Sequence, residues 1–176
     1  PPAPAPVENT VIRTISVGGA QRLGVYASGI NPTHPERFAA GRQADGYRAF
    51  KLKIGFGAAQ DVANLQALRA LLGDATPLMV DANQAWDVAT ALRMLPLLAP
   101  FGLTWLEEPI RADLPWSDWQ TLQAATAIPL AAGENLRGDQ AFDAAIASGA
   151  LGVVQPDLGK WGGFSGCLPV ARRVRA

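Results

Sequence analysis

Residues 50–55, FKLKIG, place two lysines two positions apart in an apolar run that ends on glycine. In a strand, alternate residues share a face, so Lys51 and Lys53 project together, about 6.6 Å apart. The same design recurs outward along the chain. LMVDAN (78–83), TWLEEP (104–109) and PLAAGEN (129–135) each close an apolar run with an acidic cluster. Lys53, Asp81, Glu107 and Glu134 are spaced by roughly 27 residues, the length of one strand plus one crossover helix. GVVQPDLGK (152–160) continues the series with Asp157. The period predicts an α/β fold of the parallel (β/α)-barrel type. All its strand ends share one face, the face on which barrel enzymes carry their chemistry.

Composition bounds this reading. The 176 residues are 49% hydrophobic and 17% charged, enough for one domain with a sizeable core. A whole eight-unit barrel needs about 250 residues, so a partial barrel is expected. Fifteen Lys+Arg balance fifteen Asp+Glu. A neutral chain carries no footprint for nucleic acid or an anionic membrane, and a small-molecule partner fits better. Cys167 is the one cysteine and has no internal disulfide partner. There is no signal peptide and no apolar stretch of about 18 residues, so a cytoplasmic location is expected.

Residues 1–20 open with PPAPAP and read as a Pro-rich linker or tail. Within them begins VIRTISVGGAQR (11–22), read as a connector with a Gly-Gly turn. The barrel portion occupies 21–176, with six strands expected in LGVYASG (23–29), YRAFKLKIG (47–55), PLMVDAN (77–83), LTWLEE (103–108), IPLAAGEN (128–135) and LGVVQPD (151–157). Helices are predicted over 35–44, 60–72, 88–98, 116–125 and 139–147, and from residue 163 through the end of the chain. Pro96 predicts a kink or an early stop in the third. Six βα units are visible, and strands seven and eight of a barrel are not.

Two ammonium groups as close as Lys51 and Lys53 depress one another's pKa, one route to a lysine that serves as a base near neutrality. A pair of surface lysines on an edge strand is the plainer alternative. Asp81, Glu107 and Glu134 fall on three successive strand ends. Three crowded carboxylates repel unless a hard divalent ion sits among them, and oxygen-only ligation suits Mg²⁺ over Zn²⁺. Glu107 and Glu108 face opposite ways in a strand, so only one of them is a ligand, and the pattern leaves open which. Asn83 shares a face with Asp81 and either holds a ligand or caps a turn.

KLK, DANQ, LEEP, GEN and PDLGKWGG, in this order and spacing, resemble the barrel domain of the enolase superfamily, in its mandelate racemase and muconate lactonizing branch. The resemblance implies that Asp81, Glu107 and Glu134 bind Mg²⁺, with Glu108 and Lys160 in support around them. It implies that Lys53 is the base and that Lys51 tunes it and touches the substrate carboxylate. The implied reaction is removal of the proton α to a carboxylate, with the resulting ene-diolate stabilised by the metal. Asp157 stands where lactonizing enzymes and epimerases carry a lysine and where the mandelate racemase type carries an Asp that orients a histidine. Racemisation or dehydration of a 2-hydroxy acid or acid sugar follows, with cycloisomerase or epimerase chemistry as the alternative.

The chain departs from that pattern in two ways. Its only histidine, His34, lies after the first strand and reads as a solvated residue. The family's N-terminal capping domain has no counterpart in the sequence. The five tryptophans read as packing residues, with Trp161 alone a candidate to line the site. Two classes of function remain: a Mg²⁺-dependent racemase or dehydratase acting on a small-molecule carboxylate, or a catalytically incomplete barrel segment that binds metal or associates with copies of itself. Unpaired edges on the first and last strands favour a homo-oligomer.

Overall fold

In a computed structural model of the protein, the structure describes residues 15–17 and 21–174. The Pro-rich opening lies outside them. Two short strands, β1 (Ile15–Val17) and β2 (Gln21–Leu23), pair antiparallel with Ile15 opposite Leu23. The stretch read from sequence as a connector thus contributes to two paired strands, to which Ile15, Val17 and Leu23 lend strand propensity.

Six parallel strands form one sheet in sequential order: β3 (Ala27–Ile30), β4 (Phe50–Lys53), β5 (Leu78–Asp81), β6 (Leu106–Glu107), β7 (Leu130–Ala132) and β8 (Val153–Val154). Each is followed by a helix: α1 (Pro35–Ala44), α2 (Ala58–Leu72), α3 (Val88–Leu98), α4 (Trp116–Ala124), α5 (Asp139–Ser148) and α6 (Gly163–Val174). This is six consecutive units of a (β/α) barrel. The strands are shorter than the apolar runs that encode them, since the flanking residues turn into the βα loops. Helix α3 continues through Pro96 to Leu98 and tightens into a 3-10 turn at Ala99–Phe101, so the proline shapes its end without breaking it. Among the described residues no helix is long and apolar enough to cross a membrane.

Alternation along the strands divides two environments. Phe50, Leu52, Leu78, Val80, Leu106 and Leu130 join one buried cluster with Leu65, Leu68, Leu95, Leu98, Trp119 and Leu122 of the helices. Lys51, Met79, Asp81 and Glu107 alternate to the other face, the interior of the barrel, and are buried there. Register then sets their heights: Lys51 pairs with Met79, Lys53 with Asp81, Asp81 with Glu107, and Glu107 with Ala131. The charged ends of β4, β5 and β6 are therefore level. Glu134 lies in the turn just beyond β7, two residues after its last residue, Ala132.

Two glycines let the loops at this rim approach. A Cβ on Gly55 (φ 99°) would lie 2.7 Å from the Ala85 Cβ, and one on Gly133 (φ 144°) would lie 2.7 Å from the Gln155 backbone nitrogen. Gly133→Ala is expected to cost about 2–4 kcal/mol, because backbone at 155 cannot yield and the φ suits only glycine. Gly41→Ala, inside α1 with nothing within 4 Å of the new methyl, is expected to gain about 0.5–1 kcal/mol. Urea unfolding of the two variants checks both signs.

Candidate active site

The interior face of β4–β6 gathers a lysine–carboxylate network. Lys51 is 5% exposed, and its Nζ donates to both oxygens of Glu107 at 2.7 Å. It also lies 3.4 Å from Asp81 Oδ2. Lys53 donates to Asp81 Oδ2 at 2.6 Å and to Asn83 Oδ1 at 2.5 Å. Asp81 Oδ1 accepts from the Asn83 backbone N–H at 2.9 Å, so one carboxylate ties the strand end, the turn after it and both lysines together. Asn83 is a turn residue here, with φ 46°, and its Oδ1 accepts from Lys53.

Burial pushes the Lys51 ammonium down, but the hydrogen bonds and charge of Glu107, with the fields of Tyr26 and Asp81, outweigh it. Its pKa lies above the ordinary lysine value. For Lys51 this corrects the expectation of a depressed lysine. The carboxylates dominate, and Lys51 stays a cation. The other carboxylates meet lysines too: Asp81 accepts from Lys53 as Glu107 does from Lys51. Lys160 Nζ donates to Glu134 Oε1 at 3.1 Å, completing the set.

Glu108 follows the last residue of β6 and is 1% exposed. Both its oxygens accept from the Asn135 carboxamide at 2.9 Å. Burial raises its pKa against the lowering effect of that bond. Its backbone sits at φ 40°, and its carbonyl accepts from Gln84, which is itself at φ 62°. Gln84 Oε1 in turn accepts from the Ala112 N–H at 2.9 Å, bracing the loop after β6 from the loop after β5. Asp157 Oδ1 accepts from the backbone of Gly159 at 2.7 Å and Lys160 at 3.0 Å, so half of this carboxylate shapes its own turn. His34 is exposed, begins α1 at φ 52° and lies 3.5 Å from Glu36. Trp161 packs on Phe142, with ring centroids 5.1 Å apart, and belongs to a second buried cluster with Leu136, Ala145 and Val170.

Several members of the site were missed in the sequence. The Trp105 indole N–H donates to Glu107 Oε2 at 3.2 Å, and the Gln155 carboxamide donates to the same oxygen at 3.0 Å. Tyr26 lies with its ring 5.6 Å from Lys51 Nζ and packs edge-on to Trp105 at 5.5 Å. Asn135 bridges Glu108 and Glu134. Strand alternation held the signal for Trp105, two residues before Glu107, and for Gln155, two before Asp157.

Residues 35–176 match the Enolase C-terminal domain-like family. The chain belongs to that family. A crystal structure of a mandelate racemase/muconate lactonizing enzyme from Bordetella bronchiseptica RB50 is 59% identical, with a TM-score of 0.83 over 85% of this chain and 41% of that one. The 3,6-anhydro-alpha-L-galactonate cycloisomerase of Streptomyces coelicolor is 40% identical over 86% of this chain and 43% of its own length. L-Talarate dehydratase from Polaromonas sp. JS666, solved in complex with Mg and L-glucarate, is 33% identical with a TM-score of 0.78, covering 86% of this chain and 44% of that one. The chain thus spans under half the length of these relatives.

Among the described residues, no three His, Cys, Asp or Glu side chains stand grouped as a ready metal cage. Each of the three proposed ligand carboxylates meets an ammonium: Asp81 that of Lys53, Glu107 that of Lys51 and Glu134 that of Lys160. The donor set itself fits a hard cation: three carboxylates on adjacent strand ends, with no sulfur or imidazole beside them.

The buried Lys51–Glu107 pair gives a stability prediction. Lys51→Met strands an uncompensated carboxylate and is expected to cost about 3–5 kcal/mol, much of it recovered in the double variant Lys51→Met, Glu107→Gln. Because the folded pKa of Lys51 is raised, its contribution is full below the unfolded lysine value and fades as pH climbs through the folded one. The gap between wild type and Lys51→Met should therefore narrow in strongly alkaline buffer. Denaturant unfolding at neutral and alkaline pH measures both effects.

Proposed function

We propose that this chain supplies the catalytic strand ends of a Mg²⁺-dependent enzyme that removes the proton α to the carboxylate of a 2-hydroxy acid or acid sugar, leading to racemisation or loss of water. The observation that carries the reading is the division of labour between the two lysines. Lys51 is buried and locked on Glu107. Lys53 is 27% exposed at the rim and held by Asp81 and Asn83. The relatives named above, a racemase-type enzyme, a cycloisomerase and a dehydratase, share this kind of substrate chemistry in their names.

Asp81, Glu107 and Glu134 would hold the cation. When bound, Mg²⁺ would supply positive charge to the substrate carboxylate as the α-carbon loses its proton. The residues of the chain do the rest. The Lys53 ammonium first gives up one proton to solvent, and its neutral amine then takes the α-proton. An N–H bond forms, the C–H bond breaks, and the electron pair passes into the carboxylate. Lys51, kept cationic, faces the substrate carboxylate and adds to its stabilisation. Glu108 and Asn135 hold the neighbouring loop end, and Lys160 orients Glu134. Asp157 keeps Oδ2 without a partner among the described residues, and that oxygen would orient an acid–base partner on the opposite face of the substrate.

Deuterium exchange tests the assignment. In D₂O with Mg²⁺, the protein is expected to wash out the α-proton of sugar acids such as L-glucarate. Lys53→Ala should slow that exchange by about 10²–10⁴-fold. Undiminished exchange in Lys53→Ala would place the base elsewhere.

A further inference from the structure

Glu107 is held asymmetrically. Lys51 reaches both of its oxygens, but Oε2 also accepts from Trp105 at 3.2 Å and from Gln155 at 3.0 Å. Oε2 therefore has three donors, whereas Oε1 has one. Each carboxylate oxygen offers about two lone pairs. Oε2 is saturated, and the remaining acceptor capacity of the group belongs to Oε1. We infer that Trp105 and Gln155 are positioning residues that anchor Oε2 of Glu107 and so present Oε1 to a divalent cation. The inference rests on the metal-site reading above and names the residues that set the geometry of one ligand.

Both donors are fixed from behind. Trp105 lies two residues before Glu107 and shares its face of the strand. Its ring meets Tyr26 edge-on, at 5.5 Å and 78°, while the Tyr26 ring lies 5.6 Å from the Lys51 ammonium. Trp105, Tyr26, Lys51 and Glu107 close a ring of contacts, so the indole cannot swing without moving the lysine. Gln155 is rooted at the closest backbone approach of the rim, where its N, C and O lie within 2.8 Å of the position a Cβ on Gly133 would take. The direction of its carboxamide is forced, because an ionised carboxylate only accepts and Nε2 must face it. That choice leaves Gln155 Oε1 buried with no partner among the described residues. A side chain kept for packing alone would be better served by Met, which buries no orphan acceptor. The carboxamide is explained by its N–H on Glu107.

Trp105→Phe and Gln155→Met keep the ring and the side-chain length while removing each donor. Titration calorimetry with Mg²⁺ alone is expected to show each variant binding about tenfold more weakly than wild type, the scale of one hydrogen bond to a charged group. The double variant should lose less than the product of the single losses, because both donors act on one oxygen. Tryptophan emission gives a second titration of Gln155→Met, whose Mg²⁺-dependent change should persist with its midpoint moved to about tenfold higher Mg²⁺. Each variant tests the role independently should the other fail to fold. Wild-type affinity retained by either folded variant overturns the positioning role of that residue while leaving the metal site standing. A wild-type protein that takes up no Mg²⁺ overturns the metal reading and this inference with it.

Discussion

Parallel pairing of β4, β5 and β6 sets Lys53 opposite Asp81 and Asp81 opposite Glu107, and everything at the rim depends on that register. A slip of one residue would turn Lys51, Lys53, Asp81 and Glu107 into the apolar layer under the helices, where no partner could offset their desolvation. Leu52, Leu78, Val80 and Leu106 would face the polar interior in exchange. Hydrophobic alternation and charge pairing thus enforce one another, and the site is built by the forces that build the sheet. Asp61 extends this to the first loop. It is fully buried and accepts the Gly55 and Phe56 N–H groups at 2.9 and 3.3 Å, fixing the turn that follows the lysine strand.

The same register explains why the site is a network of ion pairs. Each carboxylate at the rim meets a lysine: Glu107 with Lys51, Asp81 with Lys53 and Glu134 with Lys160. On the proposed function, a bound cation would take over carboxylate oxygens that now accept from ammonium groups, and Lys51 and Lys53 would then face the substrate. Trp105 and Gln155 do not take part in this exchange. They are neutral donors that hold Glu107 in place while its charged partner changes.

Much of this was legible in the sequence. The recurrence of an apolar run ending in Lys53, Asp81, Glu107 and Glu134 gave the unit length, the sheet order and the face. Helix α1 begins at Pro35 and α6 at Gly163, as the proline and glycine signals indicate. What the sequence concealed depends on contacts between distant segments. Charge sign along one strand implied repulsion between Lys51 and Lys53, yet their energies are set by Glu107 and Asp81, 56 and 28 residues away. Trp105 read as packing because an indole N–H declares itself only when a partner is placed. Gln155 was overshadowed by Asp157, whose carboxylate is partly spent on its own turn.

The central claim is that this lysine–carboxylate rim is a divalent-cation site whose ligands change partners on loading. Anomalous diffraction from crystals grown with saturating Mn²⁺ tests it most directly. The account predicts one Mn²⁺ bound by oxygens of Asp81, Glu107 and Glu134, with Lys53 Nζ drawn off Asp81 and Glu107 Oε2 still bonded to Trp105 and Gln155. An anomalous map with no peak at this rim, and with the Lys53–Asp81 and Lys160–Glu134 pairs intact, would contradict it.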